Sequence, residues 1–376
     1  MQGRTDHGVP LESKMGDRSG NYPAVRPSES DPTSVSRSAG LRPLPLTVGG
    51  AELRDLPDLL RLPGIELLNQ PESLLVPFSP VRAALRARVR WPRSRRRVLV
   101  ARTGDRVVGF AMFQPQRPDQ RWRLDAIGAA VGVFDAIPVL DELIRYGITL
   151  AGVNGVKRLY ARVPQGAFCA VGLRETGFWP YATETVLVAS SLGRARMPTT
   201  VRRQLPSDTW AVQQLYSASV PRQVEYAEAL TSHHWDVADS QSSGGVHGLV
   251  IEEGHHIVAM ARIVSRTSGH GVEVIVLPER TELIDSLLDG VAAWLFERRS
   301  PRVYAAVRGY QQEVRTKLVT LGMIPLHEQD LLIKYTTANI RLPVFEVVPA
   351  FAEVREGVPQ RVPTFLQTQP HDDIVT

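Results

Sequence analysis

The stretch 318–326 reads LVTLGMIPL, and an earlier stretch, 173–181, reads LRETGFWPY. Leu, Gly and Pro stand at the same places in both stretches, with apolar residues between the Gly and the Pro. A glycine at this point suits the left-handed backbone conformation with which many helices end. Each stretch therefore predicts the last turn of a helix followed by a strand.

Two more pairs of segments repeat in the same order. Residues 302–307 (RVYAAV) match 158–163 (RLYARV), and residues 283–288 (LIDSLL) match 139–144 (VLDELI). The offset is about 145 residues in each case, which is the size of a domain and too long for one unit of a solenoid. The chain of 376 residues is therefore interpreted as a tandem duplication.

Composition sets the limits of the two copies. Residues 1–40 are polar and rich in Gly, Ser, Pro and Arg, which predicts a disordered segment. The first domain is expected over 41–190 and the second over 198–340, with a linker at 190–197. A Pro-rich tail follows over 341–376.

The same series of elements is predicted in each copy. A first strand over 41–47 and a helix over 51–62 precede a hairpin over 98–113, whose counterpart covers 248–264. The remaining predictions are strands over 123–133, 158–163 and 184–189 and a helix over 137–151, with counterparts at 272–277, 302–307, 330–335 and 282–298. The fold class is thus α/β, with a mixed central sheet and helices on both faces in each domain.

Several classes of protein are disfavoured by the composition. The formal net charge is +5, and the only cysteine is Cys169, so an intramolecular disulfide or a cysteine metal cluster is not expected. The sequence has no apolar run long enough to span a membrane and no signal-peptide pattern at its start. These features are typical of a cytoplasmic protein.

The order of elements resembles the GNAT acyltransferase superfamily. The resemblance is carried by the hairpin 98–113 with its Gly turn, the strand–helix–strand unit 274–307 and the helices that end at Gly177-Phe178 and Gly322-Met323. It implies an acyl-CoA-dependent N-acyltransferase in which acetyl-CoA or a relative lies between two splayed parallel strands. The amine acceptor would be a small molecule or a peptide, with no membrane partner.

The resemblance also implies particular site residues, and the second copy offers the better candidates. Glu273 would be the catalytic base and Tyr310 the acid toward the departing thiolate. The cofactor would contact Val276, Leu277, Thr281, Glu282 and Leu283, at the end of a strand and the start of the next helix. In the first copy Asp125 corresponds to Glu273.

Both copies depart from the glycine-rich pyrophosphate loop of that superfamily. Residues 277–283 read LPERTEL and residues 133–138 read VFDAIP, without a glycine and with carboxylates where phosphate would lie. Leu173 and Leu318 also stand where many members of the superfamily carry a Tyr that acts as general acid toward the departing thiolate. An alternative function is therefore a non-catalytic relative that serves as a binding or regulatory scaffold.

Other candidate sites were weighed against ordinary structural roles. The arginine-rich stretch 82–97 is either a solvated helix end or a patch that binds phosphate groups or nucleic acid. Nucleic-acid binding would weaken steeply with salt. Several histidines lie between 233 and 270, but their spacing does not predict a metal site, and Cys169 is interpreted as a small buried apolar residue.

Overall fold

The computed structural model describes residues 45–88, 96–116, 120–130, 136–237, 245–298 and 302–336. The segments 1–40 and 341–376, which were predicted to be disordered and Pro-rich, lie outside the described residues. So do part of the basic stretch (89–95) and the start of the first cofactor loop (133–135).

The first half contains seven strands and four helices within its described residues. The strands are β1 (Leu46–Gly50), β2 (Ile65–Leu67), β3 (Arg97–Thr103), β4 (Arg106–Gln116), β5 (Arg121–Ala129), β6 (Arg158–Pro164) and β7 (Trp179–Ala189). The helices are α1 (Leu56–Arg61), α2 (Pro80–Arg88), α3 (Ala136–Val153) and α4 (Ala170–Glu175). The turn Leu53–Asp55 is a 3-10 helix that leads into α1.

The second half repeats this order over its own described residues. Its strands are β8 (Val201–Arg203), β9 (Gly245–Glu253), β10 (His256–Arg266), β11 (Gly269–Val276), β12 (Val303–Arg308) and β13 (Ile324–Tyr335). Its helices are α5 (Thr209–Ser219), α6 (Arg222–Glu228), α7 (Leu283–Phe296) and α8 (Gln312–Thr320). Short 3-10 turns cover Pro206–Asp208, Ser232–Trp235 and Pro278–Arg280.

The predicted fold class is confirmed, because the structure is a mixed sheet with helices on both faces. Gly177 and Gly322 end their helices with φ angles of 87° and 88°, in the left-handed region that the repeated pattern predicted. The last strands are longer than expected and begin at Trp179 and Ile324. Neither β2 nor α6 was predicted, and α2 was anticipated only as a helix end within the basic stretch 82–97.

The two halves share one continuous sheet. Its strand order is β1-β3-β4-β5-β6-β13-β7-β12-β11-β10-β9-β8, and β2 pairs with β5 beside this path. The last strand of each half has crossed into the other half. β13 lies between β6 and β7, whereas β7 lies between β13 and β12, and all three of these pairings are antiparallel. The duplicated halves therefore form an internal pseudo-dimer that is joined by exchanged strands.

Alternating residues of the strands build apolar layers on the two faces of the sheet. In β3, Leu99 and Ala101 pack in the cluster that contains α3, whereas Val98 and Val100 pack in the cluster that contains α2. The second half has the corresponding pair of clusters, one on α7 and one on α5. Successive residues of a strand point to opposite faces of the sheet, so each strand contributes to both apolar clusters of its half.

Candidate functional site

The first candidate cleft lies between the parallel strands β5 and β6. The two strands pair over only three residues each, Arg121–Arg123 with Arg158–Tyr160. Asp125 is an extra residue of β5 relative to β4, because the register passes from Met112↔Ala126 to Phe113↔Leu124. Such a bulge bends the strand, and beyond it β5 leaves β6.

This first cleft is filled by the chain itself. β2 pairs antiparallel with β5 beyond the bulge, from Ile65↔Gly128 to Leu67↔Ala126. Only a glycine fits at position 128, since a Cβ atom there would lie 2.6 Å from the carbonyl oxygen of Gly64. The backbone groups of β5 that a bound amide ligand would use are therefore already bonded to β2.

Asn69 closes the cleft where the two strands diverge. Its backbone N–H donates to the carbonyl of Arg162 (2.9 Å), and its side-chain oxygen accepts from the backbone N–H of Arg162 (3.1 Å). On the opposite strand its Nδ2 donates to the carbonyl of Leu124. Asn69 is 1% exposed and has a φ of 59°, a left-handed conformation that asparagine tolerates better than most residues. The side chain thus takes the place of missing strand-to-strand hydrogen bonds.

The second cleft, between β11 and β12, contains no such strand among the described residues. The pairing again covers three residues, His270–Val272 with Val303–Ala305. Gln311 bridges the gap instead: its Nε2 donates to the carbonyl of Val274 (2.8 Å), and its Oε1 accepts from the backbone N–H of Arg308 (3.1 Å).

The two predicted catalytic residues lie beside this second cleft. Glu273 is half-buried on β11, directly opposite Arg262 of β10 in the strand register. Tyr310 is half-buried in the turn between β12 and α8. Gln311, which follows Tyr310, donates to the carbonyl of Val274, which follows Glu273. The structure therefore brings the two residues to one region.

The surroundings of both side chains favour their neutral forms. Burial raises the pKa of Glu273, although Arg262, Arg308 and Arg162 oppose this change. Glu273 makes no hydrogen bond or ion pair within the described part of the chain. Burial is also the main cause of the raised pKa of Tyr310, so its phenol keeps its proton. A carboxyl whose pKa is raised and a protonated phenol are suited to accept and to donate a proton, respectively.

The residues predicted to hold the cofactor lie together at the start of α7, in a less favourable setting. Val276, Leu277 and Leu283 are partly buried against the apolar clusters, Thr281 is half-buried, and Glu282 is exposed. The 3-10 turn Pro278–Arg280 replaces the glycine-rich loop. Arg280 is the one cation of the segment 277–283, and its guanidinium is bound by both Glu253 and Glu282. The segment therefore has no free cation for a pyrophosphate.

Asp125, the first-copy counterpart of Glu273, is not available as a base. It is 8% exposed, accepts a hydrogen bond from Nε of Arg123 (2.6 Å) and contacts Nδ2 of Asn69 (3.3 Å). The cleft next to it is occupied by β2. The two copies have therefore diverged, and, within the described residues, the cleft without an inserted strand, beside the unpaired Glu273 side chain, lies in the second half.

A buried ionic cluster joins the halves next to the second cleft. Arg308 of β12 contacts Glu228 of α6 (2.8 Å) and Glu184 of β7 (3.2 Å). Tyr216 and Tyr181 donate their hydroxyl protons to Glu228, at 2.8 and 3.1 Å. Burial alone would lower the pKa of Arg308, but the two carboxylates raise it well above its ordinary value. The guanidinium is therefore a permanent charge at the junction of the two halves, which is called the seam below.

Sequence reasoning missed the residues that shape the two clefts. Asn69 and Gln311 are polar residues in segments without a motif, and each acts by bonding to backbone groups of distant strands. Glu184 and Glu228 were also missed as partners of Arg308. The available signal was a pair of carboxylates within otherwise regular elements, which does not reveal that they meet in the fold.

Comparisons with known proteins give results at the level of fold. No family model matches this chain, and no curated protein matches its sequence. Among solved structures, a tandem GNAT protein from the clavulanic acid biosynthesis pathway is similar over 78% of this chain and 99% of its own, with a TM-score of 0.49 and 14% identity. A GCN5-related N-acetyltransferase from Sphaerobacter thermophilus is similar over 77% of this chain and 96% of its own, also with a TM-score of 0.49 and 14% identity.

A putative acetyltransferase from Pyrococcus horikoshii is similar over 77% of this chain and 89% of its own, with a TM-score of 0.46 and 10% identity. The first of these three structures is described as a GNAT protein and the second as a GCN5-related N-acetyltransferase. At such identities the likeness concerns the fold and does not extend to the reaction. No helix within the described residues is long and apolar enough to cross a membrane.

Proposed function

We propose that this chain is an acyl-CoA-dependent N-acyltransferase with a single working site, in the second half. The observation that carries the proposal is the contrast between the two clefts. β2 fills the cleft between β5 and β6, whereas the cleft between β11 and β12 keeps an unbonded carboxylate, Glu273, beside it. The acceptor is an amine, and the acyl donor is acetyl-CoA or a related thioester.

The cleft fits the amide-bearing arm of such a donor better than its phosphates. Gln311 bonds to Val274 and Arg308 through a primary amide, so a donor amide can exchange with it at the same backbone groups. The start of α7 offers the positive end of a helix dipole, but Arg280 is already paired with two carboxylates. We therefore expect the donor to bind weakly, and we expect contacts in the cleft to contribute more of the binding free energy than contacts to the phosphates.

The residues of the chain divide the proton transfers between them. When bound, the donor supplies an acyl group activated as a thioester. Glu273 accepts a proton from the amine as its nitrogen bonds to the acyl carbon, and Tyr310 donates its proton to the sulfur as the carbon–sulfur bond breaks. The raised pKa of Glu273 suits the first transfer, and the raised pKa of Tyr310 keeps its phenol protonated before the second.

Replacing Glu273 by Gln tests the catalytic part of the proposal. We expect kcat to fall by about 10²- to 10⁴-fold, the usual contribution of a general base. Because burial raises the pKa of Glu273 in the folded state, ionisation of this carboxyl costs stability as pH rises. The variant should therefore melt at the same or a higher temperature at neutral pH.

Activity of the unchanged protein should rise with pH through the pKa of Glu273, which lies above the ordinary 4.5.

The matched control for Glu273→Gln is Glu142→Gln, at an exposed position of α3. Acyl transfer by Glu273→Gln at the unchanged rate would contradict the assignment of the base.

The alternative function, a non-catalytic scaffold, is favoured by a different set of contacts. β2 closes the first cleft, Gln311 bridges the second, and Arg280 is held by carboxylates where phosphate would bind. On this account neither half binds an acyl donor, and Glu273 is a strand residue next to Arg262. Titration with acetyl-CoA separates the two functions.

A further inference from the structure

A large cavity opens between the two halves on the face of the sheet opposite α3 and α7. Its volume is about 1200 Å³, somewhat above the 300–1,000 Å³ of most small-molecule sites. The first half contributes the segment between β2 and α2, the exposed face of α2 and the ends of β4 and β5. The second half contributes His233, His234 and residues of β9 and β10. The cavity exists only because the halves are joined.

Positive charge dominates the described lining of this cavity. It contains two carboxylates, Glu72 and Asp125, and six arginines, namely Arg82, Arg86, Arg96, Arg123, Arg262 and Arg266. Three of these arginines belong to the basic stretch of the sequence, whose role was left open between a solvated helix end and a phosphate-binding patch. The structure places them along the wall of a concave site rather than on a convex surface.

The two carboxylates are already paired and do not neutralise the other arginines. Asp125 is bound by Arg123 (2.6 Å), and Glu72 contacts Arg162 (3.2 Å) and Arg123 (3.8 Å). Among the described residues, the other five arginines of the lining make no ion pair. Arg96 donates to the side-chain oxygen of Gln114 (2.9 Å), a neutral partner. Five arginines of the described lining are therefore not neutralised by an ion pair, although Glu273 lies opposite one of them, Arg262.

Burial is the main cause of the lowered pKa of two groups in the lining, and neighbouring arginines add to it. Burial lowers the pKa of Arg96, and the nearby charges of Arg86 and Arg123 lower it further, against the effect of Asp125. Burial likewise lowers the pKa of His234 well below its ordinary value, and Arg262 adds to the effect. Cations that disfavour one another in this way create a positive potential that attracts anions.

Arg262 has an unused donor inside the site. Its Nε is buried and has no hydrogen-bond partner, although a buried guanidinium donor normally has one. The same residue lies opposite Glu273 in the pairing of β10 with β11. A ligand that satisfies Arg262 would therefore lie next to the proposed base.

We propose that this cavity binds a metabolite-sized ligand that carries two or more negative groups, phosphate or carboxylate. Arginine forks bind both kinds of anion in bidentate fashion. Binding at this site does not depend on the proposed function. Only the identification of the ligand as the acceptor of acyl transfer rests on it, and the acceptor is then an amine that also bears anionic groups.

A small molecule fits these observations better than nucleic acid does. The arginines come from opposite walls of one cavity, so their charges converge on a compact ligand. A backbone of regularly spaced phosphates would require an extended basic surface. The described lining also lacks the series of exposed aromatic side chains on which bases of a single strand would stack.

The test is calorimetric titration of the full chain with inorganic pyrophosphate and, separately, with citrate, which distinguish phosphate from carboxylate ligands. Acetate serves as the monovalent control. We expect saturable binding of at least one of the two probes at one site per chain. The double variant Arg86→Gln/Arg262→Gln should weaken it at least 10-fold. A second variant, Arg82→Gln/Arg86→Gln, changes only exposed positions, so it keeps the test valid if the first variant misfolds.

Arg106→Gln/Arg145→Gln is the matched control, because it removes the same charge at exposed positions outside the cavity. The proposal is overturned if neither probe binds, if the control loses as much affinity as the cavity variants, or if only a single-stranded oligonucleotide binds, with a steep loss in salt. Acetyl-CoA is titrated in parallel. Probe binding without acetyl-CoA binding would support the anion site and contradict the acyltransferase proposal. Acetyl-CoA binding without probe binding would contradict the anion site alone.

Discussion

Cutting the chain between Gly193 and Arg194 is expected to give two pieces that fold only when they are together. Both residues are exposed in the linker between β7 and β8, so the cut itself removes no buried contact. The strand neighbours of β7 are β13 and β12, which belong to the second piece. The neighbours of β13 are β6 and β7, which belong to the first. Each exchanged strand would therefore lose every backbone partner.

Each piece alone should be unfolded or associated with copies of itself, because it exposes a long unpaired edge. Co-expressed pieces should purify as a 1:1 complex with the melting temperature of the intact protein. Size-exclusion chromatography and circular dichroism of the separate and combined pieces provide the measurement. A piece that is monomeric and melts cooperatively by itself would show that the exchanged strands are dispensable.

Replacing Arg308 by Met should be the most destabilising single substitution at the seam. Arg308 is 8% exposed and lies between Glu184 and Glu228, which are 2% and 7% exposed. Removing the guanidinium leaves Glu228 without its cation and Glu184 with only Arg162, at 3.8 Å. Breaking a buried pair in this way costs about 3–5 kcal/mol. The free energy of unfolding in urea measures the loss.

Arg174→Met is the matched control for this substitution. The Arg174 side chain is 57% exposed and pairs with Asp330 at 2.8 Å. An exposed ion pair contributes about 0–1 kcal/mol, so the control should lose little stability. The account of the seam fails if the two variants lose similar amounts of stability.

The sequence allowed the duplicated fold to be predicted because local signals were repeated. The pattern around Gly177 and Gly322 marks a helix end that depends on only a few neighbouring residues, and the hairpins are equally local. The exchange of β7 and β13 could not be predicted in the same way. Each of these strands has the same run of apolar residues whether it pairs within its own half or with the other.

The candidate site was predictable only in part, for a related physical reason. Glu273 and Tyr310 occupy positions that follow from the order of strands, and the fold brings them together. The filling of the first cleft depends on β2, which has three residues and too short a pattern to indicate a strand. The charge of the cavity likewise depends on which arginines remain unpaired, and this is decided by contacts between segments far apart in the chain.

The central claim is that the chain has one working cleft for an acyl donor, between β11 and β12. Calorimetric titration of the intact protein with acetyl-CoA tests it most directly, with Val276→Trp to block that cleft and Val319→Trp, at an exposed position of α8, as the control. The account predicts one molecule bound per chain and at least a 10-fold loss of affinity in the first variant alone. Two molecules per chain, no binding at all, or unchanged affinity in Val276→Trp would contradict it.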